Sequence, residues 1–161
     1  MSLSVEARIL RYLQGWIGVV GLIAIGNTVS CFRSHVHLFE RIYTESPDDV
    51  TALSGRLFGL WTCVSGCLRL CCALDIRNRS IYNLTLFSFI LAFLHFFSEV
   101  AFYKTASLYS FGVASPLIIS GMTTIWMIGG YFCMGEKSKT KDEIDSKAMN
   151  ELQFKSMKKT R

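Results

Sequence analysis

Apolar and polar positions separate into blocks along this chain. Four long apolar runs, at residues 12–31, 56–76, 80–103 and 111–134, are divided by polar stretches. At a rise of about 1.5 Å per residue, a run of about 20 residues crosses a hydrocarbon core of about 30 Å. Lipid offers no partner to a bare backbone N–H or C=O, so each run is predicted to be a helix. The expected fold is all-α: a polytopic membrane protein built as a four-transmembrane-helix bundle over residues 1–134. Residues 135–161 turn Lys-rich, with scattered acids and no sustained apolar face, and read as a mostly disordered basic tail. The first run is too long for the apolar core of a signal peptide, and no small-residue cleavage site precedes the loop at Phe32.

The second and third runs are joined only by the hinge Arg77-Asn78-Arg79-Ser80, so they are expected to lie antiparallel with that hinge among the headgroups. Gly55, Gly59, Cys63, Cys67 and Cys71 recur every fourth residue. Small residues at that spacing let a second helix approach closely, either inside the bundle or on another protein. Gly15, Gly18 and Gly21 offer a further close-approach face. Their spacing is wrong for a dinucleotide-binding fingerprint, and no strand precedes them. In the loop before Gly55, HVHLFERIY places Val36, Phe39 and Tyr43 on one side of a predicted interfacial helix, and Ser46-Pro47-Asp48-Asp49 reads as a turn.

Charge sets the orientation. Arg8, Arg11, Arg77, Arg79 and eight Lys and Arg of the tail share one side, whereas Arg33, Arg41, Arg56 and Lys104 share the other. Lys and Arg concentrate on the cytosolic side, so both termini are expected in the cytosol and the loop at 32–55 in the lumen. The net charge of +5 is then a topology signal and implies no nucleic acid. The six cysteines all lie in or at the edge of the runs, where thiols act as small hydrophobes. No histidine stands at ligand spacing from them, so neither a metal site nor a cofactor is expected. Lys158 and Lys159, third and fourth from the C-terminus, match a dilysine retrieval signal of endoplasmic-reticulum membrane proteins.

Ionisable residues inside the runs are the candidate chemistry, because charge in lipid is costly and normally retained for function or pairing. They are Arg69, His95 and Glu99. By the helical rise, Arg69 lies about 10 Å from the cytosolic end and Glu99 about 6 Å from the lumenal end, so the two should not meet. Arg69 has a stem long enough to snorkel to the headgroups. His95 is one turn from Glu99, while Arg56 and Asn27 sit at similar depth. The expectation is a polar layer of Asn27, Arg56, His95 and Glu99.

Several segments together carry a family resemblance. They are Gly26-Asn27-Thr28, Leu38–Thr44 as LFERIYT, Arg56–Thr62 as RLFGLWT, Arg69, Ala73–Ile76 as ALDI, Tyr82, and His95–Glu99 as HFFSE. In this order and spacing the chain resembles the ergosterol biosynthetic protein 28 family over residues 23–116. The resemblance implies an endoplasmic-reticulum scaffold without catalytic residues. Its implied partners are the sterol C-4 methyl oxidase, the 3β-hydroxysteroid dehydrogenase/C-4 decarboxylase and the 3-ketosteroid reductase, with membrane lipid around it. The small-residue faces leave self-association open.

Two readings compete with the scaffold. One is a small isomerase-like enzyme moving protons on a sterol with His95 and Glu99. The other is a sterol-binding or transfer protein. Topology is directly testable at Asn78 and Asn83, which both match the glycosylation acceptor pattern. Neither is expected to carry glycan. An endoglycosidase-sensitive mass shift that disappears in Asn78→Gln would invert the orientation.

Overall fold

The computed structural model describes residues 5–34, 40–46, 48, 50–131 and 149. Helix α1 spans Val5–Arg33, α2 spans Ala52–Leu74 and α3 spans Arg79–Ser98. A π-helical turn, Glu99–Tyr103, prolongs α3, and α4 spans Phe111–Tyr131. Among the described residues there is no strand, and four helices are long and apolar enough to cross a membrane. The tail apart from Met149, and so Lys158 and Lys159, lies outside the described residues, as do Cys133, Val36, Phe39, Pro47 and Asp49.

Caps, rather than hydropathy, set the helix limits. The Thr51 hydroxyl accepts from the Ser54 N–H while the Ser54 hydroxyl accepts from the Thr51 N–H, so α2 starts at Ala52, ahead of the apolar run at Arg56. At the hinge the Asn78 side chain accepts from the N–H groups of Ser80 and Ile81 and opens α3. The π turn ends at Lys104, whose left-handed backbone (φ 56°, ψ 29°) stops the helix.

Helices α1 and α2 pack closely along their length. A Cβ on Gly18 would lie 3.3 Å from the Ala73 Cβ, and one on Gly66 2.9 Å from Ile25 Cδ1. Gly21 faces Leu70 and Arg69, and Gly59 faces Cys31 and Phe32. The contact face on α2 therefore runs through 59, 66, 70 and 73. This departs from the four-residue stripe, of which Gly55 and Gly59 are buried, Cys63 is half-buried, and Cys67 and Cys71 are exposed. Four residues advance about 400° at 3.6 residues per turn, so each step drifts by about 40° and the whole stripe winds nearly halfway round the helix. Only its first part serves the bundle interior.

Helix α4 closes the bundle against α1 and α3. Trp16 Nε1 donates to Thr123 Oγ1 at 2.9 Å, and the fully buried Tyr82 donates to the Met127 carbonyl at 2.6 Å. Gln14 donates to the Ala73 carbonyl at 2.6 Å, and Thr85 to the Leu68 carbonyl at 3.1 Å. These bonds surround an apolar cluster at the hinge end that includes Leu13, Ile17, Cys72, Phe89 and Met127. A second cluster, of Cys31, Ile42, Phe96, Ala106 and Val113, fills the loop end. Large apolar side chains such as Leu22, Leu57, Phe87 and Ile125 point outward, as lipid-facing positions should.

The packing face predicts a contrast between neighbours. Gly66→Leu forces α1 and α2 apart and should cost about 1–3 kcal/mol. Cys67→Leu, on the outward face, should stay within about 0.5 kcal/mol of the parent chain. Thermal unfolding in detergent reads both.

Candidate functional site

At the loop end, residues 40–46 fold back over the bundle and a polar cluster forms beneath them. The Tyr43 hydroxyl lies 3.0 Å from His95 Nε2, and His95 Nδ1 lies 3.8 Å from Glu99 Oε1. The other Glu99 oxygen accepts from the Thr105 hydroxyl. The π turn makes this closure, because the Glu99 carbonyl accepts both the Lys104 N–H and, at 3.1 Å, the Thr105 N–H. The Glu45 N–H in turn donates to the Thr105 carbonyl at 3.2 Å, tying the loop to the end of α3.

Burial and the nearby Glu99 carboxylate push the Tyr43 phenol well above its ordinary pKa, so it stays protonated. With Glu99 facing Nδ1, the imidazole proton belongs on Nδ1, and Nε2 accepts from Tyr43. Aromatic edges enclose the group: Phe58 stands 6.3 Å from both the Tyr43 and His95 rings, and Phe96 stands 5.2 Å from His95. A pocket of about 200 Å³ opens beside the cluster, lined by Tyr43, Glu99, Thr105, Ser54 and Phe58 among others.

Of the expected polar layer, the structure brings together His95 and Glu99 alone. Arg56 is exposed and has no side-chain partner among the described residues. Asn27 belongs to a different cavity. Equal depth does not bring residues together when their helices turn them to different sides. Tyr43 and Thr105 complete the cluster in their place. Tyr43 lies in the LFERIYT segment that carried the resemblance, but no periodicity links a loop tyrosine to a helix.

Arg69 does not snorkel. It is buried, with its Cζ 4.2 Å from the Phe89 ring centroid. It borders a cavity of about 270 Å³ at the centre of the bundle, together with Asn27, Arg41, Phe58, Phe96 and Ser120. On the outer side of His95 and Phe58, an open apolar groove of about 700 Å³ runs between α2 and α3, walled by Trp61, Leu94, Phe97 and Phe102. Among the described residues no group of His, Cys, Asp and Glu is arranged to hold a metal.

Helical throughout its described spans, with four side-chain hydrogen bonds from Gln14, Trp16, Tyr82 and Thr85 crossing between helices and much of its apolar surface turned outward, the chain is a multi-pass membrane protein. The family model described as Erg28 like protein matches residues 13–125, and the chain belongs to that family. It is 41% identical over 124 residues to the human ergosterol biosynthetic protein 28 homolog, covering 77% of this chain and 88% of the human protein. It is 35% identical over 124 residues to ergosterol biosynthetic protein 28 of Candida albicans, covering 74% of this chain and 88% of that one. To the Saccharomyces cerevisiae protein of the same name it is 30% identical over 116 residues, covering 72% and 78%. Those names place the relatives in ergosterol biosynthesis. No solved structure matches the chain.

Two substitutions probe the loop end. A Cβ on Gly112 would overlap the Arg41 carbonyl oxygen, which also accepts from the Ser110 hydroxyl. Gly112→Ala should displace residues 40–46 and cost about 1–3 kcal/mol, with protease cleavage in the loop as the readout. Tyr43→Phe should cost about 0.5–1.5 kcal/mol. Because the folded-state pKa of Tyr43 is raised, its contribution is complete below the ordinary tyrosine value of about 10 and declines as pH rises past it. Melting temperature should therefore fall more steeply above that pH in the parent chain than in Tyr43→Phe.

Proposed function

We propose that this protein is a non-catalytic scaffold of sterol synthesis in the endoplasmic-reticulum membrane. It gathers the sterol C-4 methyl oxidase, the 3β-hydroxysteroid dehydrogenase/C-4 decarboxylase and the 3-ketosteroid reductase. Residues 1–134 form the membrane domain and 135–161 the cytosolic tail. Both termini face the cytosol, and Lys158 and Lys159 return the chain to the endoplasmic reticulum. Membership of the family supports the sterol setting. The observation that carries the scaffold reading is the apolar groove between α2 and α3, whose aromatic walls Trp61, Phe97 and Phe102 face the lipid side. Tethering raises the effective concentration of one enzyme beside the next, so an intermediate is captured before it diffuses away.

A second reading, a small membrane enzyme, draws on the pocket where Tyr43, Glu99 and Thr105 meet beside His95. The mutual engagement of these groups weighs for a structural lock instead, because Tyr43 bonds His95 Nε2 and Thr105 bonds Glu99 Oε2. Photocrosslinking residues placed at Trp61, Phe97 or Phe102 in native membranes should capture the three enzymes, whereas one placed at Leu22 on α1 should not. Capture of lipid alone from the groove, or sterol turnover by the purified chain unaided, would overturn the scaffold.

A further inference from the structure

Among the described residues, the guanidinium of Arg69 is a buried charged group that the fold leaves unmatched. Arg69 is 8% exposed, and its Nε is buried without a hydrogen-bond partner. Among the described residues no carboxylate or carbonyl pairs with it, and its close companion is the face of Phe89. The Arg69 stem is held in place by Gly21 of α1, which lies against its Cβ. The charge is therefore presented to the central cavity from a fixed position, instead of reaching toward the membrane surface.

The lining of that cavity carries no Asp or Glu, and Arg41, which borders it beside Gly112, is itself exposed. Two of its hydroxyls are already engaged: Thr62 donates to the Phe58 carbonyl at 2.8 Å and Ser120 to the Pro116 carbonyl at 2.6 Å. Most of the remaining wall is aliphatic and aromatic, drawn from all four helices. The unmet electrostatic demand of Arg69 is thus for an anion, in a space whose wall is otherwise mostly apolar, with Asn27, Ser65 and Ser115 also bordering it. A carboxylate suits a guanidinium because two parallel N–H···O bonds form at once. Small-molecule pockets span about 300–1,000 Å³. At about 270 Å³ the cavity takes the polar end and part of the body of a slim amphiphile, with the rest projecting through the mouth.

We propose that the central cavity binds a sterol-class carboxylic acid, with its carboxylate on Arg69 and its ring body along Phe89, Ala92 and Ile119. The choice of a ring body over an acyl chain rests on the scaffold reading above. A decarboxylase consumes a carboxylic acid by definition, and oxidation of a methyl group is the class of reaction that supplies one. The bundle then shelters the acid between the enzyme that forms it and the enzyme that removes its carboxyl group.

The test uses the full chain purified in nanodiscs and a photoreactive sterol carboxylic acid, compared with its methyl ester, the parent neutral sterol and palmitate. Saturable labelling by the acid is expected, with about tenfold or more weaker competition from the ester and the neutral sterol. Arg69→Gln should lose labelling by a similar factor, and Arg69→Lys should recover part of it. Ala92→Phe, which fills the cavity without touching the charge, should also abolish labelling. If Arg69→Gln fails to fold, peptide mapping on the parent chain decides. Adducts near Ala92 and Ile119 support the site, and adducts confined to the lipid-facing surface overturn it. Equal competition by acid and ester, or by palmitate and the sterol acid, also overturns it. Acid binding without co-purification of the three enzymes would sink the scaffold and leave the site standing; co-purification without acid binding would do the reverse.

Discussion

Hydrocarbon supplies no hydrogen bonds, and that constraint governs this molecule at every scale. It makes each spanning segment helical, because only a helix satisfies its own backbone within one segment. It also governs side chains. Thr28 and Thr62 turn their hydroxyls back to carbonyls one turn earlier, while Gln14, Trp16, Tyr82 and Thr85 reach across to a neighbouring helix. The cross-helix bonds act as directional staples where apolar contact alone would let helices slide. Lipid is as apolar as leucine, so close packing at Gly18, Gly21 and Gly66 and these few polar bonds hold the bundle together.

The two ends of the bundle answer the same constraint differently. Toward the hinge, neutral donors pair with carbonyls around a dense apolar cluster. Toward the loop, an ionisable pair is kept inside the protein by borrowing Tyr43 and Thr105 from outside the regular helices. The π turn matters here because it lets one carbonyl, that of Glu99, hold the chain as it leaves α3 and returns toward the loop. Lys104 can adopt its left-handed backbone because the segments on both sides are anchored.

Helix number and class were legible in the sequence because a long apolar run has one outcome in a bilayer. The His95–Glu99 pair was legible because one helical turn links the two residues without any tertiary information. Where the reading failed, it lacked direction around the helix. Arg56 and Asn27 share a depth with Glu99 yet point elsewhere, and Cys67 and Cys71 continue a stripe that has already rotated out of the interface. Rise per residue fixes depth from sequence alone, but azimuth depends on which neighbour a helix leans against. Tyr43 was legible as one face of a short interfacial segment, but its bond to His95 was not, since a period within a loop does not say which helix the loop folds onto.

Phe58 borders all three voids: the polar pocket, the central cavity and the outer groove. A single phenyl ring is therefore the shared bulkhead between the lipid side and two interior compartments. Trimming position 58 would enlarge each of the three. Trp61 stands with it between the groove and the central cavity, so the partition there between bilayer and interior is built from two aromatic rings.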